Sequence, residues 1–346
     1  MHMADALISP VVGGAVWAAS AGLITYSSKK VREDADDSKV PLMGVMGAFI
    51  FACQMINFTI PATGSSGHLG GGMILAILMG PYAAFLTMAS VLTVQALFFA
   101  DGGLLALGCN IFNLGFFPCF VAYPLIYKKI AGNAPSANRI LAGSLVSAIV
   151  ALQAGAFFVV LETLFSGVSE LPFASFLLLM QPIHLAIGVV EGLVTAAVVI
   201  FVWKARPEIL GAAAGSAPAG SLPFRRVLLA LLAMAVVVGG GLSWFASDHP
   251  DGLEWSMFRT AGVEELESPE GIHSSLANLQ EKTAFLPDYG FKEGEAVEPE
   301  GEAAEEGEAW PSVSAGTSVS GLVGGALTLA LAAVIGLAVR RRRTPA

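Results

Sequence analysis

The fold turns on residues 61 to 81, Pro-Ala-Thr-Gly-Ser-Ser-Gly-His-Leu-Gly-Gly-Gly-Met-Ile-Leu-Ala-Ile-Leu-Met-Gly-Pro. The first twelve are loop-like and glycine-dense, with one imidazole, His68. An apolar region, 73–99, follows and is interrupted by Gly80-Pro81. Proline lacks the N–H that a continuing helix needs, so the pair predicts a break and divides the region into a short entering segment and a full return helix. A bilayer core of about 30 Å takes roughly 20 helical residues to cross, so one half is short or re-entrant. The loop before it then dips into the membrane, which backbone tolerates only where protein shields it or a cavity opens beside it. A cavity open to the outside is expected.

Outward from this stretch, apolar runs fall at about 7–26, 40–60, 104–127, 139–165, 173–203, 225–246 and 321–339. The chain of 346 residues is 55% hydrophobic and 13% charged, with a mean hydropathy of +0.71. Ordinary soluble domains carry about 25% charged residues, which excludes a soluble fold. Each run reads as helix, because backbone groups in lipid bond within their own segment. The expected fold is an all-α integral membrane protein, with seven crossings in a core up to residue 204. A cytoplasmic linker, 205–222, follows, then a two-helix module, 223–346, around an extracytoplasmic loop, 247–320.

Charge sets the orientation. Lys29, Lys30, Arg32, Lys39, Lys128, Lys129, Lys204, Arg206, Arg225, Arg226 and Arg340 to Arg343 flank the runs and are expected on the cytoplasmic side. With the Gly80-Pro81 division, this puts the N-terminus outside and the C-terminus inside. The net charge of −9 is a local property: residues 248–310 hold 17 acidic and 3 basic residues, against 10 and 15 elsewhere. No nucleic-acid partner is expected; membrane lipid is. The stretch Glu293 to Glu308 has the composition of a disordered segment. Cys53, Cys109 and Cys119 lie in apolar runs without CxxC spacing and read as buried small residues. The N-terminus lacks a basic signal-peptide start, so its first residues are expected to remain in the mature protein.

Ionisable groups in membrane spans are costly and therefore functional candidates. His68 is presented by glycines; the alternative is an imidazole that anchors the loop. The free amine of Met1, the amide of His2 if deprotonated and the His2 imidazole form a chelate of three nitrogens, which His68 would complete as a planar set suited to nickel(II) or copper(II) rather than zinc. The alternative is a disordered terminal histidine. His184 and Glu191 are seven apart on one helix, 700° of rotation, and share a face. They are expected as a coupled interior pair, in support of the metal loop or in a structural network. Glu162, Asn57, Gln95, Asn110, Asn113, Gln153 and Gln181 read as polar links between helices. The sequence has no HExxH, no GxSxG elbow and no phosphate loop, so no enzyme is indicated and any ATP hydrolysis belongs to another subunit.

Met-His at the start, Asn57 to Gly72, Gln95 to Gly115 with its Asp-Gly-Gly-Leu-Leu-Ala-Leu-Gly-Cys-Asn-Ile-Phe-Asn-Leu-Gly, and His184 to Gly192 together resemble the CbiM/NikM family over residues 1 to about 203. These are substrate-binding S components of energy-coupling factor transporters in bacterial inner membranes. The resemblance implies high-affinity capture of nickel or cobalt as transported substrate, no organic cofactor, and partnership with a transmembrane T component and two ATPase subunits. It also implies that the N-terminal segment folds back into the cavity, with Met1, His2 and His68 as metal ligands. Asn57, Gln95, His184 and Glu191 are the candidates for support. This chain reads Met3-Ala4-Asp5-Ala6 where the commoner start is Met-His-Ile-Pro-Asp-Gly, a change that spares a backbone ligand. Pro250 to Trp255, Pro-Asp-Gly-Leu-Glu-Trp, resembles the CbiN/NikN-like (PDGLE) accessory subunit, which implies assistance in loading or transport. Asp251 and Glu254 either gather cations or start a helix; the helix-starting turn is favoured. The rival reading is a stand-alone ion-coupled secondary transporter with Glu162, His184 and Glu191 as its path, against which the lack of inverted repeats argues.

Overall fold

A computed structural model describes residues 2–34, 39–169, 171–213, 225–262, 266, 269–292 and 310–339. Met1, Glu293 to Glu308, the second half of the linker, 214–222, and Arg340 to Arg343 therefore lie outside the described residues.

The chain is mostly helical. Helices α1 (Pro10–Glu33) and α2 (Lys39–Gln54) precede a short antiparallel hairpin of β1 (Phe58–Ile60) and β2 (Ser65–Gly67), in which Thr59 faces Ser66. This hairpin departs from an all-α fold. Glycine and serine free the strand backbones to pair, and β2 is wholly buried. Helix α3 (Gly72–Met79) then runs into α4 (Pro81–Phe99) across Gly80, whose φ of 79° only glycine adopts without strain. The break falls at the expected Gly80-Pro81 step. Eight residues rise about 12 Å, well short of a bilayer core, so α3 is the short segment.

Helix α5 (Leu107–Ala131) carries Pro118 and Pro124 inside it, and Phe112–Tyr127 is wound as a π-helix. The wider winding accommodates residues that lack an N–H for the ordinary ladder. Helices α6 (Ala137–Ser166) and α7 (Phe173–Ala205) complete the first region and pack along each other. Leu145 and Ile149 backbone of α6 lies against Gly192 and Gly188 of α7, where an added Cβ would stand 2.6 and 3.0 Å from their Cα atoms. Within the stretch read as a linker, Pro207–Ala213 is a further helix, α8, whose Ala213 carbonyl accepts from the Tyr123 hydroxyl at 3.3 Å.

The C-terminal module, expected as two helices around a loop, has four α-helices among the described residues: α9 (Arg225–Gly240) and α12 (Ala315–Val339), and between them α10 (Gly252–Ala261) and α11 (Ile272–Thr283), formed within the segment read as loop 247–320. Among the described residues six helices are long and apolar enough to cross a membrane: α1, α4, α5, α6, α7 and α12. Helix α12 packs closely on α2, with Gly324 against the Phe51 ring, and α9 flanks both. The two modules thus share one apolar core, and the three cysteines lie buried and unpaired in it.

Candidate metal site beneath the C-terminal module

A cavity of about 420 Å³ lies between the N-terminal segment, the hairpin, the α4–α5 connection and the C-terminal module. Its polar lining includes His2, His68, Asp101, Asp251, Glu254 and Tyr289.

The N-terminal segment is held by the connection that follows α4. Met3 is fully buried. Its N–H donates to Asn110 Oδ1 at 2.8 Å, and its carbonyl accepts from Gly103 N at 2.9 Å and Asn110 Nδ2 at 3.2 Å. Asp5 Oδ1 accepts from Ala106 N at 2.9 Å. Below Met3, Asn113 Nδ2 lies 3.9 Å from its sulfur and donates to Glu162 at 2.7 Å. Five polar anchors fix a segment with no helix of its own beyond the turn Asp5–Leu7.

These anchors bring the His2 ring to 4.9 Å from the His68 ring, centroid to centroid, at a tilt of 32°. His2 Nδ1 donates to Asp101 Oδ1 at 2.7 Å, while its Nε2 is buried with no hydrogen-bond partner among the described residues. Burial would raise the Asp101 carboxyl, but the charge and hydrogen bond of His2 and the hydrogen bond from Tyr289 outweigh it and hold Asp101 below the usual carboxylate range. Burial, and next to it neighbouring positive charge, lowers His68 to about 3, so its imidazole is neutral at physiological pH. Since His68 Nδ1 donates to the Leu69 carbonyl at 3.1 Å, the lone pair sits on Nε2. Two imidazoles, one with an orphaned nitrogen and one kept neutral, form a nitrogen-donor pair of the kind that late first-row metals take. In this rotamer the His2 nitrogen nearest its own amide is engaged by Asp101. Closing an amide–imidazole chelate turns the ring and exchanges that hydrogen bond for a metal bond.

The His68 loop has its own supports. Glu191 Oε2 accepts from Gly70 N at 2.7 Å and Oε1 from Gly71 N at 3.2 Å. Gln54 Nε2 donates to the Gly70 carbonyl at 2.8 Å, and Gln95 Nε2 donates to Gln54 Oε1 at 2.9 Å. The expected His184–Glu191 pair is not formed: His184 Nδ1 donates to Met180 O one turn back on α7, at 2.8 Å. Two helical turns separate the residues by about 10 Å along the axis, so sharing a face did not bring them into contact. Asn57 lines the cavity, and its carbonyl accepts from Ser247 N at 2.8 Å.

The C-terminal module forms one wall of the cavity and covers part of it. Ser66 N donates to the Pro250 carbonyl at 2.8 Å, its hydroxyl to His249 O at 2.7 Å, and Trp255 Nε1 to Thr63 O at 3.0 Å. Gln280 Nε2 donates to the Ala96 and Gly102 carbonyls, each at 2.8 Å, and His273 Nε2 to Ile8 O at 2.8 Å. The favoured reading of Pro250 to Trp255 holds: Asp251 Oδ1 accepts from Leu253 N and Glu254 N at 2.7 and 2.9 Å, and Glu254 Oε2 accepts from Asp251 N at 2.8 Å. This is a reciprocal capping box at the start of α10. Burial and the adjacent Asp251 carboxylate push Glu254 up to about 7. Sequence reasoning assigned no role to Asp101 or Tyr289. Asp101 was visible as an acid in a second glycine-rich turn, Asp101-Gly102-Gly103; Tyr289 carried no signal at all.

Residues 2–209 match the family CbiM, "Cobalt uptake substrate-specific transmembrane region", and residues 225–341 match the PDGLE domain. The chain is 32% identical over 334 residues to a "Putative fused nickel transport protein NikMN" of Archaeoglobus fulgidus, covering 96% of each. It is 31% identical over 316 residues to a "Fused nickel transport protein NikMN" of Rhodobacter capsulatus, covering 84% of this chain and 88% of that one. A solved structure, "Crystal Structure of an Truncated Transition metal Transporter", superposes with a TM-score of 0.53 at 30% identity, over 59% of this chain and 99% of its own.

Proposed function

The chain belongs to the CbiM family of membrane-spanning cobalt and nickel transport proteins, with a PDGLE domain following, and from that premise we propose that it captures nickel(II) or cobalt(II) as the S component of an energy-coupling factor transporter. The Met1 amine, the His2 amide and imidazole, and His68 hold the ion, with Glu191, Gln95 and Asn57 supporting the loop that carries His68. The reading rests on one observation: two imidazoles from segments far apart in sequence meet at 4.9 Å in the wall of one cavity. Geometry does the selecting, since a planar nitrogen set suits nickel(II) better than ions that prefer a tetrahedron, while the same nitrogens can also take cobalt(II). A T component and two ATPase subunits drive release. The core, 1–204, crosses an inner membrane seven times with α3 as the short segment, leaving the N-terminus outside and, after the linker 205–222 and the module 223–346, the C-terminus in the cytoplasm.

The test is a titration of nickel(II) and cobalt(II) into detergent-purified protein with its native N-terminus, followed by near-UV and visible absorption, beside a copy extended by one residue before Met1. Tight binding to the native form and its loss in the extended one are expected. Equal binding by both removes Met1 and His2 from the ligand set. Uptake by vesicles that contain the chain but no ATPase would instead favour the secondary transporter.

A further inference from the structure

Tyr289 belongs to the C-terminal module, yet its partly buried ring packs against the core of the first, stacked on Phe99 at 5.1 Å and 20° and beside Phe51 at 6.1 Å. Backbone strain puts it there: Asp288 and Tyr289 adopt φ of 48° and 58°, left-handed values that residues with a Cβ rarely take in succession. The hydroxyl so placed is the junction of two hydrogen-bond chains. In one, it donates to Asp101 Oδ2, and Asp101 Oδ1 accepts from His2 Nδ1 at 2.7 Å. In the other, it accepts from Gln95 Nε2 at 3.3 Å; Gln95 donates to Gln54, and Gln54 to the Gly70 carbonyl, two residues from His68.

We propose that Tyr289 is a positioning residue for the metal site: one hydroxyl of the C-terminal module braces the loop that carries His68 through Gln95 and Gln54, and, through Asp101, keeps the His2 ring beside His68 before the ion enters. The proposal rests on His2 and His68 being the metal ligands. Its physical basis is that groups behind a ligand fix its orientation: this hydroxyl backs the His68 loop at Gly70, and on the other side it holds His2 at 4.9 Å from His68 until the chelate closes. The C-terminal module thereby acts on the metal from outside the ligand set, by setting the spacing of its ligands. Gln280 and His273, which clamp α11 onto the connection and the N-terminal segment, keep the turn that carries Tyr289 close to the site.

Tyr289→Phe in the full chain removes the hydroxyl and keeps the stacked ring. Nickel(II) affinity is expected to fall about 10-fold, the low end for loss of a group behind a ligand, with shifted near-UV and visible bands and only the small drop in melting temperature that the lost hydrogen bonds bring. Native affinity with native bands would overturn the proposal. Gln95→Met severs only the His68 chain and is expected to give a smaller loss of the same sign, which also covers the case of a Tyr289 variant that does not fold; native affinity there overturns the two-chain assignment. The extended N-terminus separates the two failures. If it abolishes binding while Tyr289→Phe binds normally, the ligand reading stands and the role of Tyr289 falls; if the extended protein binds as tightly as the native one, both fall.

Discussion

Gly103→Ala offers a test of whether the seated N-terminal segment makes the site. A Cβ at Gly103 would lie 1.9 Å from Asp5 Oδ1, 2.4 Å from Asp5 Cγ and 2.4 Å from the Asp5 backbone nitrogen. Rotating the Asp5 side chain relieves the first two contacts but not the third. Ordinary contact begins near 3.4 Å, so the segment must back away by about 1 Å. That displacement breaks or stretches four hydrogen bonds: Gly103 N to Met3 O, Met3 N to Asn110, Asn110 to Met3 O, and Ala106 N to Asp5. Each contributes about 1 kcal/mol net, and partial retention brings the loss to roughly 2–4 kcal/mol. At about 1.4 kcal/mol per factor of ten, metal binding is expected to weaken by roughly 30- to 1,000-fold. Competition titration of nickel(II) against a chromophoric chelator reads the change. Gly14→Ala, on α1 where an added Cβ meets nothing within 4 Å, is the matched control and is expected to bind normally. Native affinity in Gly103→Ala, or an equal loss in Gly14→Ala, would refute the claim that this contact seats the ligands.

Two further outcomes follow from the geometry. His68 titrates at about 3 in the folded protein because burial disfavours its charged form, against about 6.5 unfolded, so between these values the unfolded chain binds more protons and stability falls as pH falls, while above about 6.5 it is flat. Melting temperatures of the metal-free protein from pH 8 to pH 4 should therefore bend downward below about pH 6.5 relative to His68→Gln, and parallel curves would contradict this. Asp251→Ala orphans the Leu253 and Glu254 N–H groups and should cost roughly 0.5–2 kcal/mol in thermal unfolding, whereas Asp251→Asn, also a good cap, should retain stability and metal uptake; loss of uptake in the asparagine variant alone would mean that the charge gathers cations.

Several features were legible in the sequence because they are local. A run of apolar residues signals a helix in lipid whatever surrounds it, and Gly80-Pro81 marks a break because proline has no N–H to offer. The spacing of Asp251 and Glu254, three residues apart, is enough for a capping box, and the structure contains one. Periodicity also placed Glu191 on an inward face, but it paired this residue with His184, since it reports which residues share a face and not what stands opposite them. The partners of Glu191 are backbone N–H groups 121 and 120 residues away, at Gly70 and Gly71.

The sequence by itself determined that this is a multi-pass membrane protein with a glycine-framed imidazole, an N-terminal histidine and an appended second module. Tertiary structure alone decided that the two imidazoles share a cavity, that Asp101 rather than an intramembrane acid holds His2, and that α10, α11 and Tyr289 close over them. The reason is the range of the contacts: His2 meets Asp101 across 99 residues and Asp101 meets Tyr289 across 188. Such pairings leave no spacing in the chain. They exist because a buried donor or acceptor must find a partner once folding has removed water from it, and the packing of distant helices determines which partner is within reach.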